Sequence, residues 1–263
     1  MSKYKLIIAD YDGTLADRDY IIPTVTVDAI RKWINSGRLF TIASGRQYLM
    51  LKSDAESLGL VTPLIVRGGA EVVDAKTGEI IYSENIDKDI ASKVLSILTA
   101  HTDKIAVEKD DAIYSTFPFA GNFPEVKRKN LDEFVPADVP KIMAKANKEQ
   151  TSEMEFAMDE VVKEFPTLHI VRSYTPLGSG WDITSIKGTK HLATLHVIKA
   201  LNIDPKDVVG VGDGYNDFSL LEACGLKVAM GNAPDELKAI ADIVVPPIHE
   251  NGVAVLIEKL LTE

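Results

Sequence analysis

Cysteine is almost missing: the 263 residues hold one, Cys224. A lone thiol makes neither an intramolecular disulfide nor a thiolate cluster. Its setting, LLEACGLKVAM, suits a small buried hydrophobe better than a nucleophile. No apolar run approaches the ~18 residues of a membrane-spanning helix. The N-terminal MSKYKLIIADYDG carries an apolar run too short for a signal-peptide core, followed at once by charge. Basic charge is in deficit, with 29 Lys and Arg against 39 Asp and Glu for a net charge of −10. A surface of that sign repels a polyphosphate backbone, which excludes nucleic acid as an expected partner. The histidines (His101, His169, His191, His196 and His249) are scattered without a ligand pair at useful spacing, although His191 adjoins Lys190. Internal repeats and low-complexity tracts are absent. These absences point to a cytoplasmic protein without membrane or nucleic-acid partners.

What is present is a large apolar fraction, 46%, enough for one large domain or two modest ones. Short runs rich in Val and Ile recur: YKLIIAD (4–10), LFTIAS (39–44), PLIVRGG (63–69), DVVGVGD (207–213), LKVAMG (226–231) and DIVVPP (242–247). They do not alternate strictly, which fits strands covered on both faces of a parallel sheet. Helical patterns separate them. Val27, Ile30 and Ile34 recur in VDAIRKWINSG, HLATLHVIKALN is apolar nearly all round, and NAPDELKAIAD has Pro234 in its expected first turn. Strand–helix alternation predicts a doubly wound α/β domain.

The beat breaks in the middle. DAKTGEIIYSE (74–84) reads as a hairpin arm around Thr-Gly. Beyond it, DKDIASKVLSILTAH and SEMEFAMDEVVKEF read as amphipathic helices, and KIAVE, AIYST, LHIVRSY and GWDITSI as strands. GNFPEVKRKNLDEFVPADVPK resists assignment. An α+β unit over 85–185, inserted into an α/β core made of 1–84 and 186–263, accounts for the change.

Ligands of parallel α/β sheets lie beyond the carboxyl ends of the strands. Here those ends carry Asp10-Tyr-Asp12-Gly-Thr14, Ser44-Gly45-Arg46 and Asp213-Gly-Tyr-Asn216-Asp217. The first raises a physical question, because two carboxylates aimed at one point repel. A cation between them answers it, and hard oxygen ligands select Mg²⁺. Asp10, Asp213 and the main-chain carbonyl of Asp12 are the candidate ligands. Ser44, Lys190 and backbone N–H groups, including those near Gly45, are candidates for holding phosphate oxygens. One carboxylate then remains to attack phosphorus and another to protonate a leaving alcohol. Plainer readings stand beside these. An Asp or Ser at a strand end can be a helix N-cap, Lys190 a solvated lysine and Asp217 a helix-start acid. Arg46 either pairs with an acid or touches substrate.

DYDGT, ASGR, GTK and GDGYND resemble, in order and rough spacing, the motifs of the haloacid dehalogenase-like (HAD) hydrolases. The chain looks like the Cof-type subfamily of sugar-phosphate phosphatases, which carry a large cap after the third core strand. The likeness extends through VAMGNAPDELKAIADIVV and HENGVAVLIEKLL. The resemblance implies a Mg²⁺-dependent phosphatase acting on small phosphate esters, with sugar phosphates the expected class. It implies Asp10 as nucleophile, Asp12 as general acid and base, and Thr14 as a support of the first loop. Ser44 and Lys190, helped by Asn216, would bind the phosphoryl group. Asp213 would be the acidic metal ligand, with Asp217 beside it or bridged by water. A phosphosugar mutase of the same superfamily and a phosphoacceptor signalling module are the alternative functions.

Two departures from the family pattern stand out. Gly68 occupies the position of a usual Asn in RGGA, which removes a polar contact, and Ser44 replaces Thr with the same hydroxyl. A cap of this size is expected to exclude water and select the leaving group. Within it Arg172, Ser173, Tyr174 and Trp181 are candidates for meeting a sugar, whereas Lys127-Arg128-Lys129 fits a solvated face better.

Overall fold

The protein is described from a computed structural model covering residues 3–118, 123–175 and 178–262, without the side chains of Tyr174 and Thr175. The chain divides into a unit of residues 1–82 with 190–263 and a unit of residues 83–189.

The first unit begins with β1 (Leu6–Ala9), α1 (Thr24–Asn35), β2 (Leu39–Ile42), α2 (Lys52–Leu58), β3 (Leu64–Val66) and β4 (Glu71–Val73), and β5 (Ile80–Ser83) leads into the second. The second unit continues with α3 (Lys88–Thr99), β6 (Lys104–Lys109), β7 (Ala112–Ser115), β8 (Lys127–Asn130), β9 (Lys141–Asn147), α4 (Thr151–Glu164), β10 (Leu168–Thr175) and β11 (Gly178–Ser185). The chain then returns to the first unit through α5 (Lys190–Ala200), β12 (Val208–Gly212), α6 (Phe218–Glu222), β13 (Leu226–Met230), α7 (Asp235–Ile240), β14 (Ile243–Val245) and α8 (Gly252–Thr262).

In the first unit a parallel sheet runs β14-β13-β12-β1-β2, with β1 paired on both sides, to β2 and to β12. Alternate residues of each strand feed opposite cores. Ile7, Ala9, Phe40, Ile42, Val209 and Val211 pack with Ile30 and Trp33 of α1, Leu58 of α2 and Leu256 and Ile257 of α8. Leu6, Ile8 and Val208 pack with Val197 of α5, Leu220 of α6 and Leu237 of α7. Burial on both faces explains why these strands read as continuous apolar runs. β3 continues the parallel direction through a single bridge, Ala43 to Ile65, and then turns into an antiparallel sheet with β4 and β5. Pro234 stands at the N-cap of α7, one position before the expected first turn. Cys224 is buried, and burial pushes its thiol up to about 12, so it is inert at neutral pH.

The second unit is a six-stranded sheet, β10-β11-β9-β6-β7-β8, antiparallel except for β7 and β8. Its core joins Val94 and Leu98 of α3 and Met154 and Val161 of α4 to Ile105, Ile142, Ala144 and Ile183 of the sheet. Trp181, expected to meet substrate, belongs to this core. Arg172 is also tied down: it pairs with Glu155, bonds Ser179 and lies over the Trp181 ring. The Tyr174 side chain lies outside the described residues, as do Gly121 and Asn122 of the segment that resisted assignment. The rest of that segment contains β8, whose Lys127, Arg128 and Lys129 are all exposed on an edge strand. Lys127 pairs with Asp111 and Lys129 lies over the Tyr114 ring.

Candidate active site

The functional residues stand where parallel strands end. Asp10 follows β1, and its N–H donates to the carbonyl of Val211 in the neighbouring β12. That hydrogen bond locks the end of β1 to the strand that delivers Asp213 and Asp217. Asp10, Asp213 and Asp217 each offer a carboxylate oxygen within 4.8 Å of the others, so side chains some two hundred residues apart in sequence share one point.

Lys190, at the start of α5, joins this acidic cluster from the helix that precedes β12. Its Nζ lies 2.5 Å from Asp10 Oδ1 and 2.6 Å from Asp217 Oδ1, and the side chain is 1% exposed. That removes the solvated-lysine alternative. Burial by itself lowers a lysine pKa; the carboxylates of Asp10 and Asp217 more than offset it and hold this ammonium charged.

Asp217 stands at the N-cap of α6 without making a cap hydrogen bond. Its carboxylate turns back instead. Oδ2 accepts from the N–H groups of Asp213 and Gly214, both at 2.9 Å, while Oδ1 meets Lys190. Fully buried, it braces the loop that carries Asp213. Asp213 accepts from the Thr14 hydroxyl at 2.7 Å. Gly13 is required next to it, because its φ of 88° suits glycine and a Cβ there would stand 2.2 Å from Asp213 Oδ2.

The charges do not balance among these groups alone. Burial, then Asp217, raises the Asp10 carboxyl well above the ordinary carboxylate range against the pull of Lys190. Burial and Asp217 push Asp213 up to about 7 despite the Thr14 hydrogen bond. Three acids face one buried ammonium, and a divalent cation bound by hard oxygens fits that deficit. Asp10 and Asp213 are the carboxylates whose oxygens would hold it. Asp217 gives Oδ1 to the Lys190 ammonium and Oδ2 to two backbone N–H groups, so it acts on the site chiefly through Lys190 and the Asp213 loop.

Asp12 departs from the expectation of two carboxylates aimed at one point. Its side chain turns out of the cluster to Arg46, whose Nε donates to Oδ2 at 2.8 Å and whose second terminal nitrogen donates to Oδ1 at 2.5 Å. Each carboxylate of the first loop therefore has its own cation, and only the main-chain carbonyl of Asp12 remains to serve a metal. The Arg46 guanidinium also lies 4.8 Å from the Tyr11 ring centroid and 4.4 Å from that of Tyr20. Tyr11 in turn donates to Asp54 of α2 at 2.5 Å. Arg46 thus takes the acid-pairing alternative.

Ser44 is buried after β2, and no helix begins there to be capped. Its Oγ accepts from the Arg46 N–H at 3.1 Å, its N–H donates to Ile65, and its carbonyl accepts from Gly68 N–H. Gly68, standing at the usual Asn position, therefore contributes its backbone to the Ser44–Gly45–Arg46 loop. The adjoining Arg67 donates its N–H to the carbonyl of Arg46 and buries its side chain against Glu71 at 2.8 Å. Asn216 sits half-buried in the short 3₁₀ turn before α6.

One residue at this site escaped the sequence reading. The Asn232 side-chain amide donates to the Gly13 carbonyl at 2.9 Å and to Asp213 Oδ2 at 3.0 Å. The available signal was its place at the end of another parallel strand, β13, within MGNAP.

Comparison with known proteins agrees with this architecture. A family model described as haloacid dehalogenase-like hydrolase matches residues 7–257. Phosphatase YwpJ of Bacillus subtilis is 30% identical over 289 residues, covering 98% of this chain and all of that protein. The same organism's 5-amino-6-(5-phospho-D-ribitylamino)uracil phosphatase YwtE is 28% identical, covering 98% of each. Among solved structures, a haloacid dehalogenase-like hydrolase from B. subtilis superposes with a TM-score of 0.81 at 27% identity, covering 97% of this chain and 99% of that one.

Proposed function

The chain belongs to the haloacid dehalogenase-like hydrolases and is a phosphatase, and from that premise we propose that it hydrolyses small phosphorylated metabolites of the sugar-phosphate class, using Mg²⁺ and an aspartyl-phosphate on Asp10. The observation that carries this reading is the buried meeting of Asp10, Asp213 and Asp217 around Lys190.

The chemistry follows from the groups present. Bound Mg²⁺ would neutralise charge on the phosphoryl oxygens and hold them against the acidic cluster. Asp10, lodged at the end of β1, attacks phosphorus in line with the departing oxygen. Asp12 donates a proton to the leaving alcohol and then takes one from the water that cleaves the acyl phosphate. Lys190 and the hydroxyl of Ser44 meet the transferring oxygens, with the Gly45 backbone beside them. Asn216 adds a side-chain amide at the rim, and Asp217 keeps Lys190 and the Asp213 loop in place.

Within the sugar-phosphate class, a substrate whose phosphate ends an open polyhydroxylated chain is favoured. The relative YwtE is a phosphatase of a phosphoribityl compound, in which a phosphomonoester ends a polyhydroxylated chain. The test is release of inorganic phosphate from a panel of phosphorylated sugars, polyols and small acids with Mg²⁺, run beside Asp10→Asn. The expected outcome is turnover of sugar or polyol phosphates that Asp10→Asn abolishes. Turnover confined to other esters removes the substrate class, and an active Asp10→Asn variant removes the nucleophile.

A further inference from the structure

We infer that Asn232 is a positioning residue for the metal site: its side-chain amide fixes the Asp213 carboxylate and the Asp12–Gly13–Thr14 loop in the one arrangement that receives the cation. The inference rests on the reading of Asp213 as a metal ligand.

Asn232 is exposed in the loop after β13, where a polar turn residue would ordinarily be solvated. This one is committed to three hydrogen bonds. The two N–H groups of its amide are used once each, on the Gly13 carbonyl and on Asp213 Oδ2. Its Oδ1 accepts from the Ile248 N–H at 3.0 Å. Because the oxygen faces an N–H and the nitrogen faces two acceptors, only one orientation of the amide satisfies the set. The loops after β1 and β12 are thereby tied to a third loop through one planar group.

The anchor of that group is itself rigid. Gly231 packs so closely on the segment before α8 that a Cβ there would lie 2.7 Å from the nitrogen of Pro247. This close approach sets the next residue, Asn232, beside Ile248. The stretches MGNAP and PPIHENG, distant from the catalytic acids in sequence, therefore act on the site through a single side chain.

The consequence falls on Asp213. Thr14 holds Oδ1 and Asn232 holds Oδ2, so the carboxylate is fixed at both oxygens before a cation arrives. A ligand held in place loses less freedom on binding, and partners that orient metal ligands typically contribute about 10–100-fold in metal affinity. Water can reach an exposed position and replace part of the lost donor, so the low end of that range, about tenfold, is expected for Asn232.

The experiment uses the full chain and reads Mg²⁺ binding in two ways: calorimetric titration without substrate, and the Mg²⁺ midpoint of phosphatase activity. For Asn232→Ala both midpoints should rise about tenfold, while kcat at saturating Mg²⁺ stays within a few-fold of the parent. Asn232→Ser, with one hydroxyl hydrogen for two acceptors, should move the midpoints in the same direction by less and serves if the alanine variant does not fold. Asp213→Asn is the control and should lose calorimetric Mg²⁺ binding. If Asp213→Asn binds Mg²⁺ like the parent, the metal reading itself fails. If it loses binding while the Asn232 variants titrate within twofold of the parent, the positioning role is overturned. A fall in kcat at saturating Mg²⁺ with unmoved midpoints also overturns it.

Discussion

Arg46 grips Asp12 side-on, Nε to one carboxylate oxygen and a terminal nitrogen to the other, while the rings of Tyr11 and Tyr20 lie against its guanidinium. The fork fixes where the carboxyl of Asp12 points, and the two rings together with Asp54 fix the fork. Lysine keeps the charge but has neither the planar fork nor its stacking. Arg46→Lys should therefore lower kcat on alkyl phosphates by about ten- to a hundredfold, part of the ~10²–10⁴ typical of general acid catalysis. Steady-state kinetics on matched aryl and alkyl esters checks this, and a variant equal to the parent on alkyl esters contradicts it.

Removing the acid outright should show a sharper dependence on the leaving group. An alkoxide needs a proton as it departs and a nitrophenolate does not. Asp12→Asn should cost about 10²–10⁴-fold on an alkyl phosphate and far less in the first step with p-nitrophenyl phosphate. Single-turnover measurements separate that step from hydrolysis of the acyl phosphate. Equal losses for both esters in the first step would show that Asp12 is not the acid.

Metal and pH should act on stability in opposite directions. Burial raises the Asp10 carboxyl and pushes Asp213 up to about 7. A carboxyl whose folded pKa exceeds its unfolded value of about 4 favours the folded state while protonated, and that contribution is lost as pH rises through the folded value. Without metal, the melting temperature should fall between about pH 5 and pH 8. Mg²⁺ binds the ionised acids, so the stabilisation it confers should grow over the same interval. Thermal melts with Mg²⁺ and with chelator test both slopes, and a Mg²⁺ effect that shrinks as pH rises refutes the assignment.

Lys190→Met removes the buried cation of the acidic cluster while leaving its carboxylate partners. Breaking a buried ion pair from one side typically costs about 3–5 kcal/mol. Denaturant unfolding of the metal-free variant should show a loss of that order, and Mg²⁺ should recover more stability in the variant than in the parent. A change below about 1 kcal/mol, the scale of an exposed pair, would mean that the acids do not depend on the lysine.

Much of this was legible in the sequence because parallel strands declare themselves. Strands such as β1 and β12 are buried on both faces, so each reads as an apolar run that stops at a polar loop, and the stop marks the candidate site. β9 was missed for the opposite reason. Lys141 and Lys145 interrupt KIMAKAN, and the buried Lys141 pairs with Asp182 at 2.9 Å, a partner supplied by β11. Trp181 was misread because an aromatic near polar residues looks like a binding surface until the opposite face of the sheet is known. Asn232 carries no chemical signature, since its importance lies in three hydrogen bonds to residues remote in the chain. The partner of Arg46 stayed open because geometry, not residue type, decides between an acid and a ligand.

The placement of β1 between β2 and β12 also governs how the molecule is made. Leu6 pairs with Leu39 on one side but with Val208 on the other. At about 5–20 residues per second of synthesis, the β12 side of β1 waits on the order of 10–40 s for its neighbour. During that interval every strand of the second unit's six-stranded sheet emerges from the ribosome and can find its partners. The catalytic sheet closes last, so a nascent chain stalled before residue 208 would present a bare apolar strand edge to chaperones.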